Sequence, residues 1–191
     1  ACISYADAML GRLIDAIESG PNADNTVIVL WSDHGYHLGE KRHWEKFALW
    51  EKTNRIPFII AAPGRANAGT QCHRAVSLTD IYPTLIDLCG LRGKPELDGI
   101  SLAPLLEEPG ADRERPALMT YGFNNHAVCD GRYRYIRYND GSEEFYDHET
   151  DPNEWHNLAG QAGHENIIAR LSKWLPESNA EPAPAMKRPK T

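Results

Sequence analysis

Apolar residues at helical spacing open the chain, as Ile3, Ala6, Leu10, Leu13, Ile14 and Ile17. This period predicts a helix over residues 3–19. A continuous apolar and β-branched run over residues 26–32 then predicts a strand that is covered on both faces, as in a parallel α/β sheet. Because such sheets bind ligands at the carboxyl ends of their strands, the residues after position 32 are the first place to look for a site.

The alternation of helix and strand continues along the next part of the chain. Residues 47–52 are predicted to form a short helix, and residues 56–62 repeat the apolar pattern of a buried strand. Residues 80–90 predict a helix that Asp80 caps and Gly90 ends. This order is typical of an α/β domain, which is expected to reach residue 106.

The pattern changes at the polar, turn-forming residues 107–110. Beyond them the period becomes two, and residues 132–138 and 144–146 predict an antiparallel hairpin. Apolar residues over 167–175 predict a helix that covers one face of this small sheet. A solvated face is expected for three arginines of the hairpin, Arg132, Arg134 and Arg137.

Composition agrees with a soluble globular protein, since 41% of the residues are apolar and 25% are charged. The formal net charge of -7 argues against a general role in binding nucleic acid or an anionic membrane surface. No apolar run approaches the roughly 20 residues that a membrane-spanning helix needs. The four cysteines, at positions 2, 72, 89 and 129, lack the spacing of a metal-binding cluster.

An acidic residue and an imidazole stand side by side after the first strand, as Asp33 and His34. Both are metal-ligating residue types, and Gly35 lets the chain turn there without an intruding side chain. A carboxylate is a hard oxygen ligand suited to Ca²⁺ or Mg²⁺, whereas an imidazole is more usual on transition metals. The pair therefore predicts a metal site and leaves the identity of the metal open.

A longer motif surrounds this pair and carries a family resemblance. Its parts are Ser32-Asp33-His34-Gly35, Leu38-Gly39-Glu40, Trp44 and Lys46, followed in order by residues 57–64, 79–85, 97–102 and 151–158. This ordered set resembles the C-terminal metal-and-sulfate motif of the sulfatase family, in the alkaline phosphatase superfamily, and is similar to its iduronate-2-sulfatase-like branch. The resemblance extends over about residues 1–175.

The resemblance implies an α/β fold. Residues 1–106 would be the C-terminal half of the sulfatase catalytic domain, which is part of an alkaline-phosphatase-like mixed sheet with flanking helices. Residues 107–175 would form a small C-terminal α+β subdomain with an antiparallel sheet and a helix. Residues 176–191, rich in Pro, Ala and Lys, are expected to form a flexible tail.

The resemblance also assigns roles to individual residues. Asp33 and His34 would bind one Ca²⁺ ion, and Lys46 would contact the sulfate as a catalytic residue, because a fixed ammonium stabilises negative charge that builds on sulfuryl oxygens. Only the motif position separates Lys46 from nearby lysines such as Lys41 and Lys52, which are expected to be ordinary solvated charges. Four residues are expected to line the substrate pocket: Tyr36, His37, Trp44 and His126. For each of them a packing role is about as plausible.

The family's nucleophile has no counterpart among these residues. Sulfatases convert a cysteine of Cys-x-Pro-x-Arg, or a close variant, to formylglycine, and none of the four cysteines has that context. The resemblance therefore implies that the formylglycine lies in an N-terminal part of the same sulfatase, which would be the partner of this chain. It also implies a secreted, periplasmic or lysosomal location.

Three classes of function follow. The first is a sulfuric ester hydrolase that acts on a sulfated sugar, such as a glycosaminoglycan or another uronic-acid-containing polysaccharide. The second is a metal-dependent phosphatase, phosphodiesterase or phosphonate hydrolase of the same superfamily, although two-metal members usually need a further histidine ligand in a downstream motif. The third is a non-catalytic carbohydrate-binding subunit. The joint presence of Asp33, His34 and Lys46 favours the first class.

Overall fold

A computed structural model of the protein describes residues 1–181, and these form two compact units. The first unit comprises Ala1–Trp31, Pro57–Cys72 and Leu78–Ala111. The second comprises Ser32–Ile56, His73–Ser77 and the chain from Asp112 onward. The motif segment 32–56 therefore clusters with the C-terminal sheet, whereas its sequence position groups it with residues 1–106. The domain boundary at residue 106 stays a prediction. The part of the predicted flexible tail from residue 182 onward lies outside the described residues.

Five α-helices and eight short strands lie in the described part of the chain. The helices are α1 (Cys2–Glu18), α2 (Glu51–Asn54), α3 (Ile81–Leu88), α4 (Ala103–Glu107) and α5 (Glu165–Ser172). The strands are β1 (Ile28–Trp31), β2 (His37–Leu38), β3 (Trp44–Glu45), β4 (Phe58–Ala61), β5 (Ala117–Thr120), β6 (His126–Cys129), β7 (Tyr133–Arg137) and β8 (Glu143–Asp147). None of the helices between residues 1 and 181 is long and apolar enough to cross a membrane.

The first unit contains an antiparallel pair of strands, β1 and β4, in which Val29 lies opposite Ile60. This corrects the prediction of a parallel strand buried on both faces, because β1 is only partly buried and Trp31 at its end is exposed. An apolar run reports that a strand has hydrophobic neighbours, but it does not fix the direction of the partner strand. The core of the unit contains Ala62, Leu88 and Ala103.

Helix α1 confirms the helix predicted over residues 3–19, but none of its residues is buried. Ile3 is 86% exposed and Leu13 is 59% exposed. Ile59 on β4 is also largely exposed. The first unit thus presents apolar side chains from both its helix and its sheet.

The second unit is built on a four-stranded antiparallel sheet with strand order β5-β6-β7-β8. The predicted hairpin is confirmed as β7 and β8, with Tyr135 opposite Phe145. Helix α5 covers one face of the sheet, where its Leu171 and the following Leu175 pack in one cluster with Tyr135 and Phe145. On the other face Leu49 of the motif segment packs among residues of β6, β7 and β8. The sheet therefore has a helix on one side and the motif segment on the other.

The expectation of a solvated arginine face on the hairpin is wrong at Arg134. Its side chain is 2% exposed and is paired with Glu51 and Glu154. Arg132 is partly exposed and forms a two-pronged pair with the Asp147 carboxylate, at 3.0 and 2.8 Å. A buried guanidinium is stable only when carboxylates neutralise it, and its partners here lie 83 residues before it and 20 residues after it.

Candidate active site

Asp33 and His34 lie directly after β1, and their donor atoms face the same point. Asp33 Oδ2 is 3.5 Å from His34 Nε2, and Asp33 Oδ1 accepts a hydrogen bond of 3.1 Å from the His34 backbone N–H. The Asp33 side chain is 81% exposed. Its carboxylate therefore keeps lone pairs that are accessible to a ligand.

The ring of His34 has a defined tautomer. Its Nδ1 lies 2.7 Å from the Gly35 carbonyl oxygen. Because a carbonyl oxygen only accepts, Nδ1 carries the proton and donates it. The lone pair of the neutral ring is then on Nε2, the nitrogen that faces Asp33. A ring N–H fixed by a backbone carbonyl is the usual support of a metal-ligating histidine.

These observations fit a bound cation. Two electron-pair donors, Asp33 Oδ2 and His34 Nε2, are near enough to share one ion, and the second nitrogen of the ring is held by the backbone. The two side chains supply half or less of the shell that a calcium ion needs, because Ca²⁺ takes 6–8 ligands. Further ligands would have to come from other groups of the whole protein.

A close backbone approach shapes the turn after His34. The Gly35 N–H donates to the Thr53 carbonyl oxygen at 2.6 Å, and the Tyr36 N–H donates to the Lys52 carbonyl oxygen at 2.9 Å. A Cβ atom at position 35 would lie 2.1 Å from the Lys52 oxygen, so only glycine fits here without a shift of the backbone. Helix α2 thereby fixes the turn that carries His34.

Lys46 joins the pair from the end of a short hairpin formed by β2 and β3. Its Nζ lies 2.9 Å from His34 Nε2, which accepts the hydrogen bond. A metal ion on this nitrogen would take the same lone pair, so the ammonium would then turn to another acceptor, such as a sulfate oxygen. The Lys46 backbone carbonyl oxygen accepts from His43 Nε2 at 2.6 Å. The structure therefore brings together the ammonium of Lys46 and the two predicted metal-ligating groups, the Asp33 carboxylate and the His34 ring.

The residues predicted to contact substrate differ in their exposure. Tyr36 is 51% exposed and Trp44 is 64% exposed, so both aromatic rings are accessible. His37 is fully buried and makes edge contacts with the rings of His43 and Trp50. Neither of its ring nitrogens has a hydrogen-bond partner in the described part of the chain. Burial lowers the pKa of His37, so the ring is neutral at pH 7.

His126 is the first residue of β6 rather than part of the preceding loop, and it is buried. Its ring nitrogens lie 2.8 Å from Thr120 Oγ1 and 2.8 Å from Asn179 Oδ1. Both nitrogens are thus engaged by protein groups. A substrate contact by His126 stays a prediction.

A second polar cluster, which the sequence pattern does not reveal, lies under the motif segment. Its most buried members are Arg134 and Glu154. Arg134 Nε lies 2.7 Å from Glu154 Oε1, where the two groups form an ion pair without hydrogen-bond geometry. His148 Nε2 lies 2.9 Å from the same oxygen. Glu154 Oε2 accepts from the Glu51 backbone N–H at 2.9 Å. The cluster ties α2 to β7 and to the loop after β8.

Three members of this region are close enough to suggest a metal site, namely Glu51, Cys129 and His148. Two facts favour an ion-pair network instead. Glu51 is already paired with the buried Arg134. Burial alone would lower the pKa of His148, but hydrogen bonds to Cys129 and Glu154 outweigh it and raise the pKa to about 10. A protonated imidazole has no lone pair to offer a cation.

The raised pKa of His148 predicts a pH dependence of stability. The folded value of about 10 lies above the ordinary value of 6.5, so the stabilisation is complete below pH 6.5 and is lost as the pH rises towards 10. We expect the Tm of the protein to fall over this interval, and His148→Gln to remove part of that fall. Thermal unfolding at a series of pH values measures both. An identical slope in the variant would contradict the assignment.

Comparisons with known proteins identify the family of the chain. The family model described as Sulfatase matches residues 1–91. A protein of Formosa agariphila named Sulfatase is 44% identical over 180 residues, which are 94% of this chain and 35% of the relative. The chain therefore spans about a third of the length of the curated relatives that it matches.

Two solved structures share the fold. One is a protein in complex with its substrate D-glucosamine-2-N,6-O-disulfate, with a TM-score of 0.76 and 30% identity over 90% of this chain and 37% of that one. The other is the phosphonate monoester hydrolase of Agrobacterium radiobacter, with a TM-score of 0.78 and 27% identity over 90% of this chain and 38% of that one. The predicted α/β fold, with flanking helices and a C-terminal antiparallel sheet, is confirmed by these likenesses.

Proposed function

Because this chain belongs to the sulfatase family, we propose that the protein to which it belongs is a sulfuric ester hydrolase that acts on a sulfated sugar. The observation that carries this proposal is the proximity of Asp33 Oδ2 and Lys46 Nζ to His34 Nε2, at 3.5 Å and 2.9 Å. Two of these atoms are metal ligands, and the third is a cation that can bind a sulfate oxygen. A mononuclear metal site beside a fixed ammonium suits a monoester with a dispersed negative charge.

Asp33 and His34 are the residues that would hold the metal, which we propose to be Ca²⁺. When bound, the ion supplies positive charge that orients the sulfate group and withdraws electron density from its oxygens. Lys46 has a different task, since its ammonium donates a hydrogen bond to a sulfuryl or bridging oxygen as negative charge develops there. The proposed formylglycine nucleophile lies in an N-terminal part of the protein.

Two accessible aromatic residues of the motif segment support a saccharide substrate. Tyr36 and Trp44 expose aromatic rings, which can pack against the C–H face of a sugar. A sulfated amino sugar is the substrate of one structurally similar protein. We therefore propose a sulfated amino sugar or a glycosaminoglycan-type saccharide, and a secreted, periplasmic or lysosomal location where such substrates occur.

A phosphonate or phosphate monoester hydrolase is the second candidate, favoured by the likeness to the Agrobacterium radiobacter enzyme. A two-metal version would need a second ligand cluster. Within residues 1–181 the other close group of ligand types is Glu51, Cys129 and His148, where Arg134 and a protonated imidazole already balance the carboxylates. The described residues therefore give no support to a two-metal version, and the pair Asp33 and His34 is the metal site that we propose for the sulfatase.

The test is a comparison of three substrates with the whole protein. We expect release of inorganic sulfate from a 6-O-sulfated glucosamine, measured by ion chromatography, at a higher kcat/KM than hydrolysis of an aryl phosphate or a phenyl phosphonate. A preparation that cleaves the phosphonate faster and requires two transition-metal ions per active site would favour the second candidate. Saccharide binding without turnover of any ester would favour a non-catalytic carbohydrate-binding protein.

A further inference from the structure

The loop that carries Lys46 has an unusual backbone. Four of its non-glycine residues have left-handed φ angles: Lys41 (52°), Arg42 (58°), Glu45 (69°) and Phe47 (60°). L-residues with side chains rarely adopt this region, because Cβ comes too close to the backbone. Such a cluster persists only when the surrounding structure holds it, and strained segments concentrate at functional sites.

Lys41 supplies the main contacts. Its Nζ donates to Tyr146 Oη at 2.8 Å and to the Glu154 carbonyl oxygen at 2.5 Å. The ammonium also lies 4.7 Å from the ring centroid of Trp50 and 4.5 Å from that of Tyr146. The side chain is 14% exposed, with Glu144 Oε2 at 4.0 Å. Lys41 is therefore a largely buried anchor, and the expectation that it is an ordinary solvated lysine is wrong.

The groups that receive Lys41 are themselves fixed. Glu154 is 1% exposed and is paired with Arg134 of β7. Its carboxylate also accepts from the backbone N–H of Glu51, at the start of α2. Lys41 and Glu51 therefore attach to the same residue, one before Lys46 and one after it. The segment between them is closed at both ends on the sheet.

The connection to Lys46 runs through His43. The His43 ring packs edge-on against Trp50, whose other contacts include the Lys41 ammonium. His43 Nε2 then donates to the Lys46 carbonyl oxygen. A shift of Lys41 would move this packing and, with it, the backbone of Lys46.

We propose that Lys41 is a positioning residue that acts through Lys46: it holds the strained loop on the C-terminal sheet so that the Lys46 ammonium lies beside the metal ligands. The inference rests on the proposed function, because it assumes that Lys46 contacts the sulfate. Lys41 itself does not contact the substrate, since its ammonium is engaged by Tyr146, Glu154 and two aromatic rings.

A double-mutant cycle in the whole enzyme tests this role. Lys41→Met keeps the apolar stem and removes the donors, and is expected to lower kcat roughly 10- to 100-fold, as small misplacements of a catalytic group do. In a Lys46→Ala background the same change should lower kcat by less than about threefold, because the group that Lys41 positions is already absent. Lys52→Met, at an exposed lysine, is the matched control and should leave kcat unchanged in both backgrounds.

The outcomes separate the inference from the proposed function. The positioning role alone is overturned if Lys41→Met lowers kcat by the same factor in the wild-type and Lys46→Ala backgrounds. It is also overturned if Lys41→Met leaves kcat unchanged in both backgrounds while Lys46→Ala itself lowers kcat. Wild-type kcat in Lys46→Ala overturns the role of Lys46 and the inference with it. Should Lys41→Met fail to fold, Tyr146→Phe removes one acceptor of the Lys41 ammonium and gives the same cycle with a smaller effect.

Discussion

Asp33→Ala in the whole enzyme is expected to abolish bound calcium and sulfate-ester turnover together, while the protein stays folded. The carboxylate is a proposed metal ligand, and losing an anionic oxygen from a site built of hard ligands removes much of its affinity. The fold should survive because the Asp33 side chain is 81% exposed and is not part of any apolar cluster of the described residues.

Elemental analysis and turnover of one sulfate ester measure the two effects in parallel. Asp24→Ala is the matched control, since Asp24 is an exposed carboxylate shortly before the same strand. It should retain both metal and activity. Stoichiometric zinc in an active wild-type preparation, or full activity in the Asp33 variant, would contradict the calcium assignment.

Lys46→Ala is expected to lower kcat by roughly 10²-fold or more, the usual cost of losing an electrostatic donor to the transition state. The ammonium lies 2.9 Å from the proposed metal ligand His34, so it is near the position that a coordinated sulfate would occupy. Its contact should strengthen as negative charge builds on the ester oxygens, which is why the loss should appear in kcat.

The choice of control for this variant depends on the structure. Lys52 is exposed, and Lys52→Ala should change kcat by less than roughly threefold. Lys41 would be a poor control, because its ammonium is buried against Tyr146 and Glu154. Equal losses at positions 46 and 52 would return Lys46 to an ordinary surface charge.

The sequence predicted the parts of the site that are local in the chain. Asp33, His34 and Lys46 lie within a single motif, and the structure brings their functional atoms together. The hairpin of β7 and β8 and the helix α5 were also predictable, because alternation and helical period directly record which faces are buried. Short-range patterns thus account for β7, β8 and α5, whereas β5 and β6, which complete the sheet, were not predicted.

Long-range pairing was beyond the sequence patterns. Arg134 occupies an alternating strand position that could equally face solvent, and only the fold brings Glu51 and Glu154 to it. The burial of Lys41 has the same origin, since its acceptors are more than 100 residues away. The direction of β4 relative to β1 is likewise a matter of topology, because apolar runs look the same in parallel and antiparallel sheets.

In the proposed enzyme, Lys46 and a metal held by Asp33 and His34 bind the same sulfate group. Its most direct test is a crystal structure of the whole enzyme with Ca²⁺ and a non-hydrolysable sulfamate analogue of the substrate. We expect one metal ion bound by Asp33 Oδ2 and His34 Nε2, with Lys46 Nζ about 2.7–3.2 Å from a sulfuryl or bridging oxygen. A sulfamate that binds away from these residues, with Lys46 turned to solvent, would contradict it.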